Sequence, residues 1–341
     1  MGGETIRPQG AKHEERDLDL DDELQYLDSG GEHAVYTMLP AEWSDHVAKV
    51  NYVSMRELLD QYAQKGGKIN TITPRWRTHH ENEVRRREKE YRELRHYFGY
   101  HVPEQYTQIA MVPLTNEQIR LLYKPNEKPP VGYETVTELP AVLTIQEKVL
   151  FKESTHSTSF HFGSIDIDSL TLDDIHHLAE NFTFETRENI DYLPEIKRLY
   201  PPLQPIIDLI DRDLSYKKSI RDFVESLIRY TSETGKGLDL VGKDNVVFYG
   251  SEGVSDYKLL DVIQLEPKLF LKEAYLFNQW LMGEKSDTNI ADVVPDNIHF
   301  LRAINALAWL VGSNERLKTI EGQDILPHVK QVANFLAQKI N

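Results

Sequence analysis

The spacing of apolar residues changes once along the chain, near residue 150, and this change limits the folds available to it. Before residue 150, short alternating or apolar stretches typical of strands surround one long segment with helical spacing, over 81–98. After residue 150 most segments have helical spacing, and the clearest has apolar residues at i, i+3, i+4, i+7 and i+8: Ile220, Phe223, Val224, Leu227 and Ile228. The pattern therefore predicts an α+β protein.

The strand-like part comes first. A hairpin is predicted from the alternation over 34–36 and 46–50, and two further apolar strands over 108–112 and 141–146. A short helix is expected over 55–63. For the second part, the spacing predicts helices over 172–181, 203–214, 220–228, 269–281, 298–311 and 325–340, with two short strands at 245–249 and 257–263.

The composition excludes several classes of protein. The chain of 341 residues has 39 Lys and Arg against 55 Asp and Glu, a formal net charge of −16, and 40% of its residues are apolar. This balance is typical of a folded protein and opposes binding to nucleic acid or to an anionic membrane surface. The absence of cysteine excludes disulfides and thiolate chemistry. No apolar run approaches the ~20 residues that cross a bilayer, so we expect a cytoplasmic protein with no membrane or nucleic-acid partner.

The charged residues also suggest where folding begins. Residues 4–23 hold eight carboxylates against three basic side chains and few apolar ones, which is typical of a flexible segment. We therefore expect a flexible acidic segment over 1–22, a sheet-plus-helix domain over 23–150 and a helical domain over 151–341.

A glycine turn precedes the predicted hairpin, and a lysine lies in its second strand. Gly30 and Gly31 come just before the first strand, and Lys49 follows Val47 and Ala48. Without a Cβ atom, glycine lets a backbone approach phosphate oxygens closely. A lysine in an apolar strand reaches solvent or meets an anion, because burying an unpaired charge is costly. These residues fit an ordinary hairpin as well as a phosphate-binding one.

Side chains with oxygen donors recur around the two later strands. Asp239 and Asn245 precede or begin the first of them, and Asp261 lies in the second. Carboxylate and amide oxygens are ligands that suit Mg²⁺. Phosphoryl transfer depends mainly on positioning and on neutralising phosphate charge, which these residue types supply.

The order of these features resembles the protein-kinase-like superfamily, as an atypical bacterial-type member, over residues 26–263. LDSGGEHAV (27–35) is similar to the glycine-rich loop G-x-G-x-x-G-x-V, with Gly30 on a glycine position and Val35 on the valine position, and VAK (47–49) is similar to V-A-I-K. GLDLVGKDN (237–245) and LLDV (259–262) are similar to the catalytic and metal-binding segments. The resemblance implies a bilobal kinase-like fold, with a small antiparallel-sheet N-lobe carrying one long helix and a mainly helical C-lobe.

The resemblance also implies ATP and Mg²⁺ as cofactors and assigns catalytic roles. Asp239 would accept the proton of the acceptor hydroxyl or orient that hydroxyl. Asn245 and Asp261 would bind magnesium, and Lys49 would neutralise phosphate charge.

The same resemblance implies a helix glutamate that pairs with Lys49, and a nucleotide between the lobes. The candidates are Glu83, Glu88, Glu90 and Glu93. We favour Glu90 because Leu94 follows it by four residues, with Glu88 as its competitor. The nucleotide would contact Gly30, Gly31, Val35, Lys49, Gln146 and Glu147.

Some family features are replaced. Gly237-Leu238-Asp239 stands where the family has H-R-D, and Asn245 follows Asp239 by six residues where five is usual. Asp261-Val262-Ile263 lacks the glycine of D-F-G, and no A-P-E sequence follows. These changes disfavour eukaryotic-type protein kinase activity.

Two functions remain. One is an ATP-dependent phosphotransferase acting on a hydroxyl of a small molecule or a protein, and nucleotide transfer would need the same parts. The other is a pseudokinase, a nucleotide-binding or scaffolding module without turnover.

A rival motif, Gly237-x4-Gly242-Lys243, approximates a Walker A loop, but Asp244 replaces its Ser/Thr and a strand is expected where a helix should follow.

Overall fold

The computed structural model divides the chain into two compact units. The first comprises the described residues up to Tyr91 and Glu104–Lys148, and the second comprises Arg92–Pro103 and the described residues from Val149 onward. The described residues are 24–29, 33–38, 44–64, 74–114, 119–120, 122–123, 127–129, 131, 133–149, 156–160, 171, 174, 180–185, 190–240, 245–251, 253–260, 264–265, 279 and 289–340. The acidic segment 1–22 lies outside them, and the predicted division into lobes stays a prediction.

The first unit is built on a five-stranded antiparallel sheet in the order β1-β2-β3-β5-β4. Its strands are β1 (Leu24–Ser29), β2 (His33–Met38), β3 (His46–Asn51), β4 (Gln105–Pro113) and β5 (Glu138–Glu147). The strands alternate in burial because successive side chains point to opposite faces. Ala48 and Val50 thus share one face, in a core that also holds Met55 and Leu59 of helix α1 (Tyr52–Gln64).

The long helix α2 covers Pro74–Phe98. The helical spacing predicted it only from residue 81, because the residues before Glu81 lack an apolar stripe. Proline is favoured in the first turn of a helix, where its missing N–H has no partner to lose, and Pro74 was the available signal for the true start. The last two turns of α2, from Arg92, belong to the second unit.

The second unit contains five α-helices among its described residues. They are α3 (Leu193–Leu199), α4 (Gln204–Arg212), α5 (Ser215–Thr234), α6 (Asn289–Leu310) and α7 (Leu326–Ile340). The apolar stripe predicted over 220–228 is the buried face of α5, where Phe223, Val224 and Leu227 are fully buried. The helices predicted over 172–181 and 269–281 lie almost entirely outside the described residues.

Short strands accompany these helices. β6 (His156–Phe160), β8 (Val246–Ser251) and β9 (Val254–Leu259) form an antiparallel sheet in the order β6-β8-β9. Two-residue ladders join β7 (Gly237–Leu238) to β10 (Gln264–Leu265) and β11 (Thr319–Ile320) to β12 (Gln323–Asp324).

The α+β class is confirmed, with a five-stranded antiparallel sheet and seven α-helices in the described part of the chain. The sequence did not predict β1 or β6, and β9 begins three residues earlier than expected. Along the residues that the structure describes, none of the helices is both long and apolar enough to pass through a bilayer.

Candidate functional site

Several polar side chains lie together on one face of the sheet in the first unit, and some of them are buried. Lys49 lies opposite Val35 on one side and Thr144 on the other, and Thr144 lies opposite Thr107. Residues directly opposite each other share a face, so these four form one row across four strands. We call this surface, with Gln146 on it, the polar face.

The polar face is unusual because its hydroxyl and amide groups are out of water. Thr144 and Gln146 are only 5% and 4% exposed, and the hydroxyl oxygens of Thr107 and Thr144 are 3.3 Å apart. Buried polar groups are retained when they have partners, because leaving them unpaired costs free energy. Lys49 is half-buried within this polar row.

The structure groups some of the predicted nucleotide contacts. Val35, Lys49 and Gln146 share the polar face. Glu147, next to Gln146, points to the other side by strand alternation, and its exposed carboxylate accepts a hydrogen bond from the Glu104 N–H at 3.3 Å. Gly30 and Gly31 lie outside the described residues.

Helix α2 contacts the polar face through Arg87. Its Nη1 is 3.3 Å from Nε2 of His33, a buried residue on the same face as Val35. Arg87 Nε also donates to Glu83, which a second arginine, Arg86, contacts as well. Burial alone would raise the pKa of the Glu83 carboxyl, but the hydrogen bonds from the two arginines lower it to about 2. Glu83 is therefore ionised and engaged with arginine.

Glu90, the favoured partner for Lys49, is bonded to Arg86 one turn earlier in α2. Burial raises the pKa of its carboxyl, and the Arg86 charge only partly offsets this effect. A pairing of Glu90 with Lys49 stays a prediction. Glu93, another candidate, forms an ion pair with Lys236.

In the second unit, Asn245 directly precedes β8 and forms two hydrogen bonds. Its Nδ2 donates a hydrogen bond to the backbone carbonyl of Asp239 at 2.6 Å. The Leu260 N–H donates to the Asn245 carbonyl at 2.8 Å, which extends the β8–β9 ladder by one pair. Asn245 is buried, and with its amide nitrogen engaged, Oδ1 is the acceptor that its side chain retains.

Asp261 lies outside the described residues, but its neighbours along the chain are placed. Leu260 is bonded to Asn245, and Gln264 pairs with Leu238, the residue before Asp239. The structure thus brings together Asp239, Asn245 and the two ends of the segment that contains Asp261.

This set of residues fits a magnesium ion by its chemistry. The Asn245 amide is held by the hydrogen bond from its nitrogen, and its oxygen, with a carboxylate nearby in the chain, is the ligand type that Mg²⁺ prefers. The ion usually keeps several waters as well. Among the residues described, no group of three or more His, Asp or Glu side chains is placed to hold a metal, and Asp261 is not among those residues.

Sequence reasoning missed several polar residues near these positions. Thr144 and Gln264 lie at strand positions where the sequence pattern indicates only a structural role, in the core or at the edge of a sheet. Lys236 follows a helix end and carries no motif. The only available signal for Lys236 was a charged side chain between a buried helix and a short apolar segment.

Compared with known proteins, the chain matches no family model, no curated protein and no solved structure.

Proposed function

We propose that the protein is an ATP-dependent phosphotransferase with a bilobal, protein-kinase-like arrangement. It would transfer the terminal phosphoryl group of ATP to a hydroxyl of a small-molecule or protein acceptor, with Mg²⁺. ATP as the donor agrees with the cytoplasmic location that the sequence predicts.

The observation that carries this proposal is the hydrogen bond from Asn245 to the Asp239 carbonyl. It fixes the orientation of the amide, because only the nitrogen end can donate to a carbonyl. It also ties a candidate metal ligand to the residue that would handle the acceptor hydroxyl.

In the proposed reaction the acceptor oxygen bonds to the γ-phosphorus as the bond from that phosphorus to the ADP oxygen breaks. Asp239 would take or orient the hydroxyl proton, and ADP would leave with the electron pair of the broken bond. Asn245 and Asp261 would hold magnesium, which when bound neutralises phosphate charge. Lys49, placed on the polar face, would contribute a further positive charge; its role comes from the sequence resemblance.

The first test is binding. Millimolar ATP with Mg²⁺ should raise the melting temperature of the protein, and the rise should be lost in Lys49→Ala and in Asp261→Asn. A matched control is Asp324→Asn, because the Asp324 side chain accepts a hydrogen bond from the Leu326 N–H, a role that asparagine can fill. If ATP with Mg²⁺ leaves the melting temperature of the wild type unchanged, the prediction of nucleotide binding is wrong.

The second test is turnover. Incubation with γ-labelled ATP and Mg²⁺ in a cell lysate should label an acceptor, and the nature of the labelled product gives the acceptor class. Asp239→Asn should keep the ATP-induced stabilisation and lose the labelling. Stabilisation by ATP without any labelling would instead support the pseudokinase alternative.

A further inference from the structure

Three side chains from separate elements meet beside β7 in the second unit. Lys236 forms an ion pair with Oε2 of Glu93, and its Nζ is also 3.3 Å from Oε1 of Gln264. The Gln264 Nε2 donates to the same Glu93 oxygen at 3.3 Å. We call these residues the Lys236 cluster. Each pair in it is in contact, so the three form a closed ring of polar contacts.

The Lys236 cluster is partly shielded from water. Gln264 is 8% exposed, and the side chains of Lys236 and Glu93 are 21% and 22% exposed. Charge attraction is screened much less at partly buried positions than at exposed ones. The cluster therefore holds its geometry better than an exposed ion pair does.

The backbone next to the cluster has little support of its own. β7 and β10 pair over two residues each, Leu238 with Gln264 and Gly237 with Leu265. So short a ladder is weak without side-chain contacts. Lys236 directly precedes β7, and Gln264 begins β10, so their contact adds a link between the same two strands.

Both proposed catalytic segments adjoin this ladder in the sequence. Asp239 follows Leu238 directly, and Asp261 is three residues before Gln264. A slip of one residue between β7 and β10 would turn their side chains to opposite faces and would shift Asp239 relative to Gln264. We propose that Lys236 is a positioning residue: through Glu93 and Gln264 it fixes the register of β7 and β10, the strands that Asp239 follows and that Asp261 precedes in the sequence. This inference rests on the proposed function.

The helix end beside the cluster is secured without the Lys236 charge. The Gly235 N–H donates to the Thr231 carbonyl, and the Lys236 N–H donates to the Thr234 hydroxyl at 3.1 Å. The side chains of Lys236 and Glu93 are 21% and 22% exposed, so the carboxylate that Lys236→Met leaves unpaired still reaches water. Lys236→Met should therefore cost less stability than the loss of one partner from a fully buried pair, and its effect on register can be measured in the folded protein.

The experiment compares Lys236→Met, Lys236→Arg and Glu93→Gln with the wild type in ATP turnover and in hydrogen exchange of residues 237–239 and 264–265. The control is Lys318→Met, which removes a lysine from an exposed pair with Glu185. We expect Lys236→Met to lower kcat about tenfold or more while KM for ATP changes less than about threefold. The β7 and β10 amides should exchange faster, with Lys236→Arg recovering part of both losses and Lys318→Met changing neither.

The outcomes separate the two proposals. Unchanged exchange at β7 and β10 in Lys236→Met overturns the positioning role whatever the turnover. Faster exchange with unchanged kcat also overturns it, because the register would then not matter to catalysis. A wild type that binds ATP but never labels an acceptor overturns the proposed transfer itself. If Lys236→Met does not fold, Glu93→Gln supplies the same comparison, because it weakens the same ion pair and keeps the side-chain size.

Discussion

The Asn245 side chain and the Asp239 backbone are joined by a hydrogen bond of 2.6 Å, from Nδ2 to the carbonyl oxygen. The bond closes the loop between β7 and β8 at its two ends. Asp239 is half-buried and Asn245 is buried, so both residues that this hydrogen bond joins are shielded from solvent at least in part. With its nitrogen donating to the Asp239 carbonyl, the Asn245 side chain keeps its amide oxygen as an acceptor, which is a ligand type that suits Mg²⁺.

Asn245→Ala should raise the Mg²⁺ concentration needed for half-maximal turnover about tenfold or more, equivalent to at least about 1.4 kcal/mol. The alanine removes the proposed metal ligand and also leaves the Asp239 carbonyl without its amide partner. The measurement is a magnesium titration of ATP turnover at a fixed ATP concentration.

The control for this change is Asn305→Ala. Asn305 is also buried and holds backbone groups of Phe182 and Leu317, so its loss should lower the free energy of unfolding by about 1–3 kcal/mol. Its magnesium requirement should equal that of the wild type. Equal magnesium requirements in both variants would mean that Asn245 only supports the loop.

The elements with strong apolar spacing could be predicted from the sequence. The spacing of Ile220, Phe223 and Leu227 predicted α5, and the alternation around Lys49 predicted the β2–β3 hairpin. β6 could not be predicted this way, because Phe160 is the only large apolar side chain among its five residues. The pairing of β6 with β8 depends on contacts between residues that are far apart in the sequence. The turn at Gly253, with φ +83°, was a usable signal for the early start of β9.

The residues of the candidate site likewise include some that the sequence could relate to one another and some that it could not. Asp239 and Asn245 are six residues apart, so a short loop brings them together and the sequence alone suggests it. Glu93 and Lys236 are separated by 143 positions, and Glu93 and Gln264 by 171. No local pattern relates residues so distant, because only the packing of α2 near β7 and β10 makes them neighbours. Long-range polar clusters of this kind require a structure.

His299 should make stability depend on pH. Burial and the charge of Arg302 lower the pKa of its imidazole to about 3, from an ordinary value near 6.5. Between those pKa values the unfolded chain binds a proton that the folded protein does not. The free energy of unfolding therefore decreases as the pH is lowered, by up to about 1.4 kcal/mol per pH unit. His299→Phe should keep the stacking on Tyr200, whose ring centroid is 4.5 Å away, and should give a shallower slope. Urea unfolding from about pH 6 to pH 4 tests this, and parallel curves for the two proteins would refute it.

The Arg302 guanidinium is fully buried and depends on Glu195 for its counter-charge. Glu195→Leu should lower the free energy of unfolding by about 3–5 kcal/mol, because it leaves a buried positive charge unbalanced. The double variant Glu195→Leu/Arg302→Met should be more stable than Glu195→Leu alone, since both charges are then removed. Denaturant unfolding of the single and double variants measures this difference. A double variant less stable than the single one would show that Arg302 acts chiefly through packing, for instance over the Phe184 ring 4.3 Å away.

Gly235 ends α5 with φ +68°, and a Cβ atom there would lie 2.5 Å from Oε1 of Glu321. Gly235→Ala should therefore cost about 1–2 kcal/mol for the left-handed backbone and more for the contact with Glu321. Gly253→Ala isolates the backbone part, because Gly253 has φ +83° and no atom within 4 Å of a built Cβ. Adding Glu321→Ala should restore part of the stability lost in Gly235→Ala. Thermal unfolding of these three variants and the wild type checks this; equal losses in the two glycine variants, with no rescue, would mean that the Glu321 side chain simply moves aside.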